Sequence, residues 1–177
     1  AGGGDELVQR FDRERVILRR LEHDNIARIL DGGSTDQGKP YLAMEYVDGV
    51  SISEYVKQRQ TPLHERLRLF AVAAHAVHFA HTYQVIHRDL KPSNVLVTAE
   101  ARVVLLDFGI AKLLAPTGEA ATDFVTPAGV RLLTPANAAP EQVAGEPPTP
   151  QTDVYGLGLI LYELLTAQPA FDPHGVN

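Results

Sequence analysis

Apolar residues recur through the first stretch of the chain as Leu7, Phe11, Leu18 and Leu21, with Arg13, Arg15, Arg19 and Arg20 on the remaining surface. That is the spacing of one helical face, and it predicts an amphipathic helix over residues 5–21. Apolar residues then gather into two short runs, 26–30 and 41–46, separated by Asp31-Gly32-Gly33 and Asp36-Gln37-Gly38-Lys39-Pro40. Runs of this length between turn-forming residues predict two strands paired as a hairpin. Helical spacing returns with Leu63, Leu67, Phe70, Ala74, Val77 and His81, where Thr61 can cap and Pro62 can take the first helical position. This helix is expected to be long and mostly buried. Runs at 95–98 and 103–106, around the polar Ala99-Glu100, predict a second hairpin. From 115 to 150 the chain is rich in Pro, Thr, Ala and Gly without periodicity, which predicts a long loop region. A buried helix over 154–166, with Thr152 and Asp153 as capping candidates, completes the pattern. There is no internal repeat.

Composition narrows the function classes. A chain of 177 residues that is 45% apolar suits a globular domain or a large part of one. A net charge of −6 provides no footprint for a phosphodiester backbone, so nucleic acid is not the expected partner. The absence of cysteine excludes disulfides, thiolate metal sites and thiol catalysis. The most apolar stretches, 69–80 and 154–167, are interrupted by His75 and His78 or by Glu163 and are too short for a bilayer. The opening Ala-Gly-Gly-Gly-Asp has neither a basic nor an apolar region and reads as linker rather than signal peptide. His75, His78 and His81 follow one another in steps of three, but such steps drift around a helix and no acidic cluster accompanies them, so a metal site is not expected.

The chemistry is concentrated in three motifs. His87-Arg88-Asp89-Leu90-Lys91-Pro92-Ser93-Asn94 is followed by Asp107-Phe108-Gly109 after the second predicted hairpin, and then by Ala139-Pro140-Glu141. Through these motifs, in this order, the chain resembles the eukaryotic-like serine/threonine protein kinases of bacteria over nearly its whole length. The resemblance implies an α+β, protein-kinase-like fold with a truncated small N-terminal lobe and a mainly helical C-terminal lobe. Residues 1–46 would form a partial N-lobe of one helix and two strands. Residues 47–177 would form the hinge and a partial C-lobe with catalytic loop, activation segment and the final helix.

Phosphoryl transfer asks a protein for charge neutralisation, in-line positioning and a group to take the hydroxyl proton. By the resemblance Asp89 is that base, and Lys91 stabilises the transferring phosphate and marks a serine/threonine enzyme. Asn94 and Asp107 offer the hard oxygen ligands that Mg²⁺ prefers. Like charges about 4 Å apart repel by roughly 4 kcal/mol at an effective dielectric near 20, so Asp107 needs that cation to tolerate a nucleotide. For ATP, Met44 corresponds to the gatekeeper, a role compatible with ordinary core packing; Glu45 and Val47 offer backbone groups to adenine, and Leu96 packs beneath it. Glu14 lies in the apolar stripe of the first helix and needs a cation. In the family a lysine on the preceding strand serves; here Arg10 is a local alternative.

The resemblance also assigns an activation segment over 112–138. Thr122 and Thr126 are its candidate phosphorylation sites, with Thr117 a weaker one, and Arg88 is the clamp for the phosphothreonine. Thr134 corresponds to the threonine that contacts the catalytic aspartate and lysine, and Asn137 departs from the bulky residue usual nearby. Asp153 corresponds to a brace for the catalytic-loop backbone, His87 to a structural residue stacked under Phe108, and Glu141 to a glutamate whose arginine partner is expected beyond Asn177. The Gly2-Gly3-Gly4 run lacks the G-x-G-x-x-G spacing of a phosphate loop, and the strand lysine is missing with it, so residues 1–177 alone are expected to be inactive; a two-stranded upper sheet with an open edge and an uncovered apolar face is expected to leave them marginally stable.

The expected function is therefore a cytoplasmic ATP- and Mg²⁺-dependent transferase acting on serine and threonine hydroxyls of protein substrates in signal transduction, within a longer protein that has room for a membrane anchor. The alternatives are a pseudokinase or scaffold that keeps the fold for binding, and a small-molecule phosphotransferase. Intact Asp89, Asn94 and Asp107 weigh against the first, and the Asp-Phe-Gly and Ala-Pro-Glu motifs against the second.

Overall fold

The computed structural model describes residues 21–35, 40–108 and 137–171. The predicted first helix lies outside the described residues, apart from its last apolar position, Leu21, which is buried. β1 (Ile29–Ser34) and β2 (Pro40–Met44) form the first antiparallel hairpin. β1 begins later than expected and runs through Asp31-Gly32-Gly33, so these residues are strand rather than turn. The register shifts between Ile29 and Asp31, a local irregularity of the kind that lets a glycine-containing strand continue. Ile26 instead bridges Leu105 in parallel, tying the approach to β1 to a strand much later in the chain.

Two elements follow for which the apolar pattern provides no forecast: β3 (Gly49–Ser51) and the short helix α1 (Ile52–Gln58). The Ser51 hydroxyl accepts the N–H of Glu54 and so caps α1. Ser-x-x-Glu ahead of an apolar run is a helix-start signature, so the local signal for α1 exists in the sequence. β3 joins β4 (Val95–Thr98) and β5 (Val103–Leu105) in an antiparallel sheet of order β3-β4-β5, so the second predicted hairpin acquires a third strand.

α2 (Leu63–Thr82) is the long helix, but its buried stripe is Leu69, Ala73, Ala76, Val77 and Ala80. Leu63 and Leu67 are exposed, and Pro62 rather than Thr61 stands at its cap position. The forecast stripe followed the large apolar residues. The buried face is instead rich in alanine, and α4 (Pro150–Thr166), the last of the described helices, packs against α2. Arg66 fastens the two, donating to the carbonyls of Thr61 at 2.7 Å and Leu164 at 2.9 Å. Within the expected loop region, α3 (Pro140–Val143) is a single helical turn at the Ala-Pro-Glu motif.

α4 starts earlier than predicted. Thr149 is its cap and Asp153 lies inside it, buried rather than capping. Its outer face leaves Val154, Tyr162 and Leu165 exposed. Gly156 on its inner face has a structural requirement: a Cβ there would lie 2.7 Å from the Leu90 Cβ and 3.0 Å from the Leu90 carbonyl oxygen. The helix therefore runs directly beneath the segment 87–94. The main core gathers Ile52, Leu69, Val77, Leu90, Leu105 and Ile160 from both sides of that segment.

Candidate active site

The segment from His87 to Asn94 has little regular structure of its own, ending in a 3₁₀ turn at Pro92–Asn94. Its shape is imposed from outside. The buried Asp153 carboxylate accepts the backbone N–H groups of His87 and Arg88, both at 2.8 Å, and lies 2.7 Å from His81 Nε2, whose N–H donates to it. Arg88 stands at φ +69°, a left-handed conformation that costs a non-glycine residue of order 1–3 kcal/mol. The Arg88 carbonyl accepts from Gln142 Nε2 at 2.8 Å, so α3 and α4 hold the strained residue from two directions.

That conformation sets up the next turn. Asp89 Oδ2 lies 3.1 Å from Lys91 Nζ and 3.2 Å from Asn94 Nδ2, and Nδ2 also donates to the Asp89 carbonyl at 2.8 Å. Asp89 and Lys91 are partly open to solvent while Asn94 is buried. Because Asn94 spends its NH₂ on Asp89, its amide oxygen is the atom it can offer to a cation.

Asp107 reaches the same region through the floor sheet. Leu106 donates its N–H to the Asn94 carbonyl at 2.9 Å, so Asp107 follows a residue bonded directly to Asn94. Asp107 is itself left-handed at φ +44° and exposed. His87 completes the closure. Its ring lies 4.8 Å from that of Phe108 at 42°, its Nε2–H donates to the Leu106 carbonyl at 2.7 Å, and its Nδ1 faces the Asp89 N–H at 3.4 Å. A donor at one nitrogen and an acceptor at the other define neutral imidazole. Complete burial pushes the pKa of His87 below its ordinary value, against the raising influence of Asp153, Asp89 and Asp107.

The donor set fits the group that the motifs imply: a neutral amide oxygen and a carboxylate are hard ligands suited to Mg²⁺, and the exposed Asp107 leaves room for water and phosphate oxygens as further ligands. Among the described residues no group of three or more His, Cys, Asp or Glu is gathered for a metal. His75 and His78 are exposed, whereas His81 faces Asp153.

The expected adenine-contacting residues divide between two places. Met44 lines a narrow recess with Leu42, Ile29, Asp107 and Phe108. Val47 and Leu96 meet in an apolar cluster with Ala27 and Val104, and Ala27 also lines the recess. Glu45 spends its backbone N–H on the Arg28 carbonyl at 2.8 Å, which leaves its carbonyl as the group to offer. Its carboxylate accepts from Arg28 N and Arg102 Nη2, and these bonds hold its pKa below the usual carboxylate range. Glu141 accepts from the Thr152 hydroxyl at 2.6 Å, which likewise lowers its pKa. Glu14, Arg10, Gly109, Thr117, Thr122, Thr126 and Thr134 lie outside the described residues. Two participants had no forecast role at the site, His81 and Gln142, which act across gaps of 72 and 54 residues for which a linear pattern carries no signal, while Thr152, expected as a capping residue, also donates to Glu141 across 11 residues.

The model of the protein kinase domain family matches residues 4–177, and the chain belongs to that family. It is 39% identical over 170 residues to the probable serine/threonine-protein kinase PknB of Lactococcus lactis, covering 95% of this chain and 26% of that protein. It is 38% identical over 167 residues to serine/threonine-protein kinase PknB of Mycolicibacterium smegmatis, covering 92% and 26%. Against serine/threonine-protein kinase PrkC of Bacillus subtilis it is 38% identical over 170 residues, covering 95% and 25%. The chain thus spans about a quarter of the length of these relatives.

Proposed function

We propose that the protein containing this chain transfers the γ-phosphate of ATP to serine and threonine hydroxyls of protein substrates. The observation that carries the reading is the Asp89 carboxylate, 3.1 Å from Lys91 Nζ and bonded to Asn94, on a loop that Asp153 holds by its backbone. Asp89 takes the proton of the acceptor hydroxyl as the bond to phosphorus forms. Lys91 offsets negative charge on the transferring group, and its pairing with Asp89 keeps both heads in one place before substrate arrives. Asn94, through its amide oxygen, and Asp107 would hold Mg²⁺, which supplies charge neutralisation at the phosphates. Glu45 through its carbonyl, Val47, Leu96 and Met44 would receive the adenine, and Glu14 would anchor the lysine that grips the phosphates.

Residues 1–46 and 47–177 are read as parts of the two lobes on either side of that nucleotide. Phosphorylation of Thr122 or Thr126, clamped by Arg88, would order the activation segment, with Thr134 contacting Asp89 and Lys91. The catalytic domain is assigned to the cytoplasm, where ATP and protein substrates meet. No described helix is long and apolar enough to cross a membrane. The test is incorporation of ³²P from [γ-³²P]ATP into protein by the full-length protein, with Asp89→Asn alongside. Incorporation that survives the substitution removes Asp89 from its role.

A further inference from the structure

We infer that the side of the domain formed by α1, the start of α2 and the β4–β5 connection is a docking groove for an acidic peptide segment of a partner protein. The groove has a volume of about 580 Å³, within the range of built ligand sites. Tyr55, Leu69, Val72 and Val103 give it an apolar floor. Arg59, Arg68 and Arg102 line it from three separate elements, and Glu65 is the only acidic residue in the lining.

The three arginines differ in what they have left to offer. Arg102 is offset by Glu45 at 3.0 Å. Arg59 is ordered by neutral partners alone among the described residues: its guanidinium lies 4.8 Å from the Tyr55 ring centroid and donates to the Ala99 carbonyl at 3.4 Å. Its charge is thus uncompensated while its position is restrained, which lowers the ordering cost of binding an anion. Arg68 is exposed and has no partner among the described residues. Arg59 and Arg68 together outweigh Glu65, in a chain whose net charge is −6. Basic side chains are scarce enough overall that this local reversal of sign selects for carboxylates spaced by apolar residues. A long polyanion would in addition be repelled by a chain whose net charge is −6.

The groove is independent of the phosphoryl-transfer site. Val103 opens β5 and Asp107 lies two residues past its end, so at roughly 3.3 Å per residue the two are at most about 13 Å apart along the chain. A peptide seated in the groove leaves Asp89, Asn94 and Asp107 uncovered.

The test uses the full-length protein and a fluorescein-labelled octapeptide of alternating aspartate and leucine, followed by fluorescence anisotropy. Saturable binding that weakens with added salt is expected, together with no binding of the matching lysine–leucine peptide. The double substitution Arg59→Glu with Arg68→Glu is expected to weaken the aspartate probe by about tenfold or more, while Arg59→Lys with Arg68→Lys retains most of the affinity. Both positions are exposed, so the variants should melt with the parent. Failure of the probe to bind, unchanged binding by the glutamate variant, or equal binding of a DNA oligonucleotide of the same charge would each overturn the inference. Phosphoryl transfer by the same variants to a substrate lacking acidic residues should stay at the parental rate; a loss there would show that the groove is not independent and would also overturn it.

Discussion

The carboxylate of Asp153 accepts the backbone N–H of Arg88 at 2.8 Å, and Arg88 stands at φ +69°. A buried negative charge in α4 is therefore spent on keeping one residue of the 87–94 segment in a conformation it would not adopt alone. With His87 and His81 as further donors, the carboxylate holds three groups that lie 65 to 72 residues before it in the chain.

Asp153→Ala leaves these donors buried without an acceptor, and a loss of about 3–5 kcal/mol is expected, as for removal of one partner from a buried charged network. Asp153→Asn keeps the size and one acceptor oxygen and should cost less. Denaturant unfolding of the two variants checks the order; an Asp153→Ala midpoint equal to that of the parent would show that the brace carries no stability.

Two glycines of α4 make a matched pair. At Gly156 an added Cβ meets Leu90 at 2.7 Å, so Gly156→Ala should cost about 1–3 kcal/mol by overpacking. At Gly158 nothing lies within 4 Å, and Gly158→Ala should stabilise the helix by about 0.5–1 kcal/mol. Thermal melts moving in opposite directions check both; a shared direction would count against the close approach of α4 to the loop.

Asp89→Asn in the full-length protein should lower phosphate transfer by about 10²–10⁴-fold, the usual contribution of a positioned base, with little change in stability because the side chain is partly solvent-exposed. Lys91→Ala should also lower the rate, through lost charge offset at the phosphate. Steady-state assays with varied ATP separate the two effects: a change confined to KM would move these residues from chemistry to binding.

The burial of His87 makes a prediction about pH. Its folded pKa lies below the ordinary 6.5, so the unfolded chain binds the proton more tightly. The contribution of His87 to stability is thus complete above pH 6.5 and declines as pH falls from there towards the folded pKa, with a slope of at most about 1.4 kcal/mol per pH unit. Replacing His87 by Gln, which retains a donor for Leu106, should flatten that part of the profile in urea titrations. A parent stability that rises on acidification through this window would contradict the neutral, buried imidazole.

Asp89, Lys91, Asn94 and Asp107 were singled out through the resemblance that their motifs carry, and the structure brings Asp89, Lys91 and Asn94 within bonding reach of one another; both predicted hairpins were legible because short apolar runs between turn residues have few alternatives. The contact face of α2 was not. Leu63 and Leu67 dominate a hydrophobicity pattern, yet the residues that are buried include Ala73, Ala76 and Ala80, since close packing rewards small side chains as much as greasy ones. α1 carried its signal at Ser51 and Glu54, in a segment too short for periodicity to register.

By itself the sequence determined two hairpins, the long helix and the final helix, the family resemblance and the candidate groups for phosphoryl transfer, because these depend on neighbours along the chain. Only the tertiary structure decided that Asp153 turns inward to hold Arg88, that Gln142 and His81 share the task, and that Arg59 and Arg68 come to line one groove. Those relationships join residues that are remote in sequence, and the packing that brings them together depends on shape and burial in three dimensions, which no local pattern encodes.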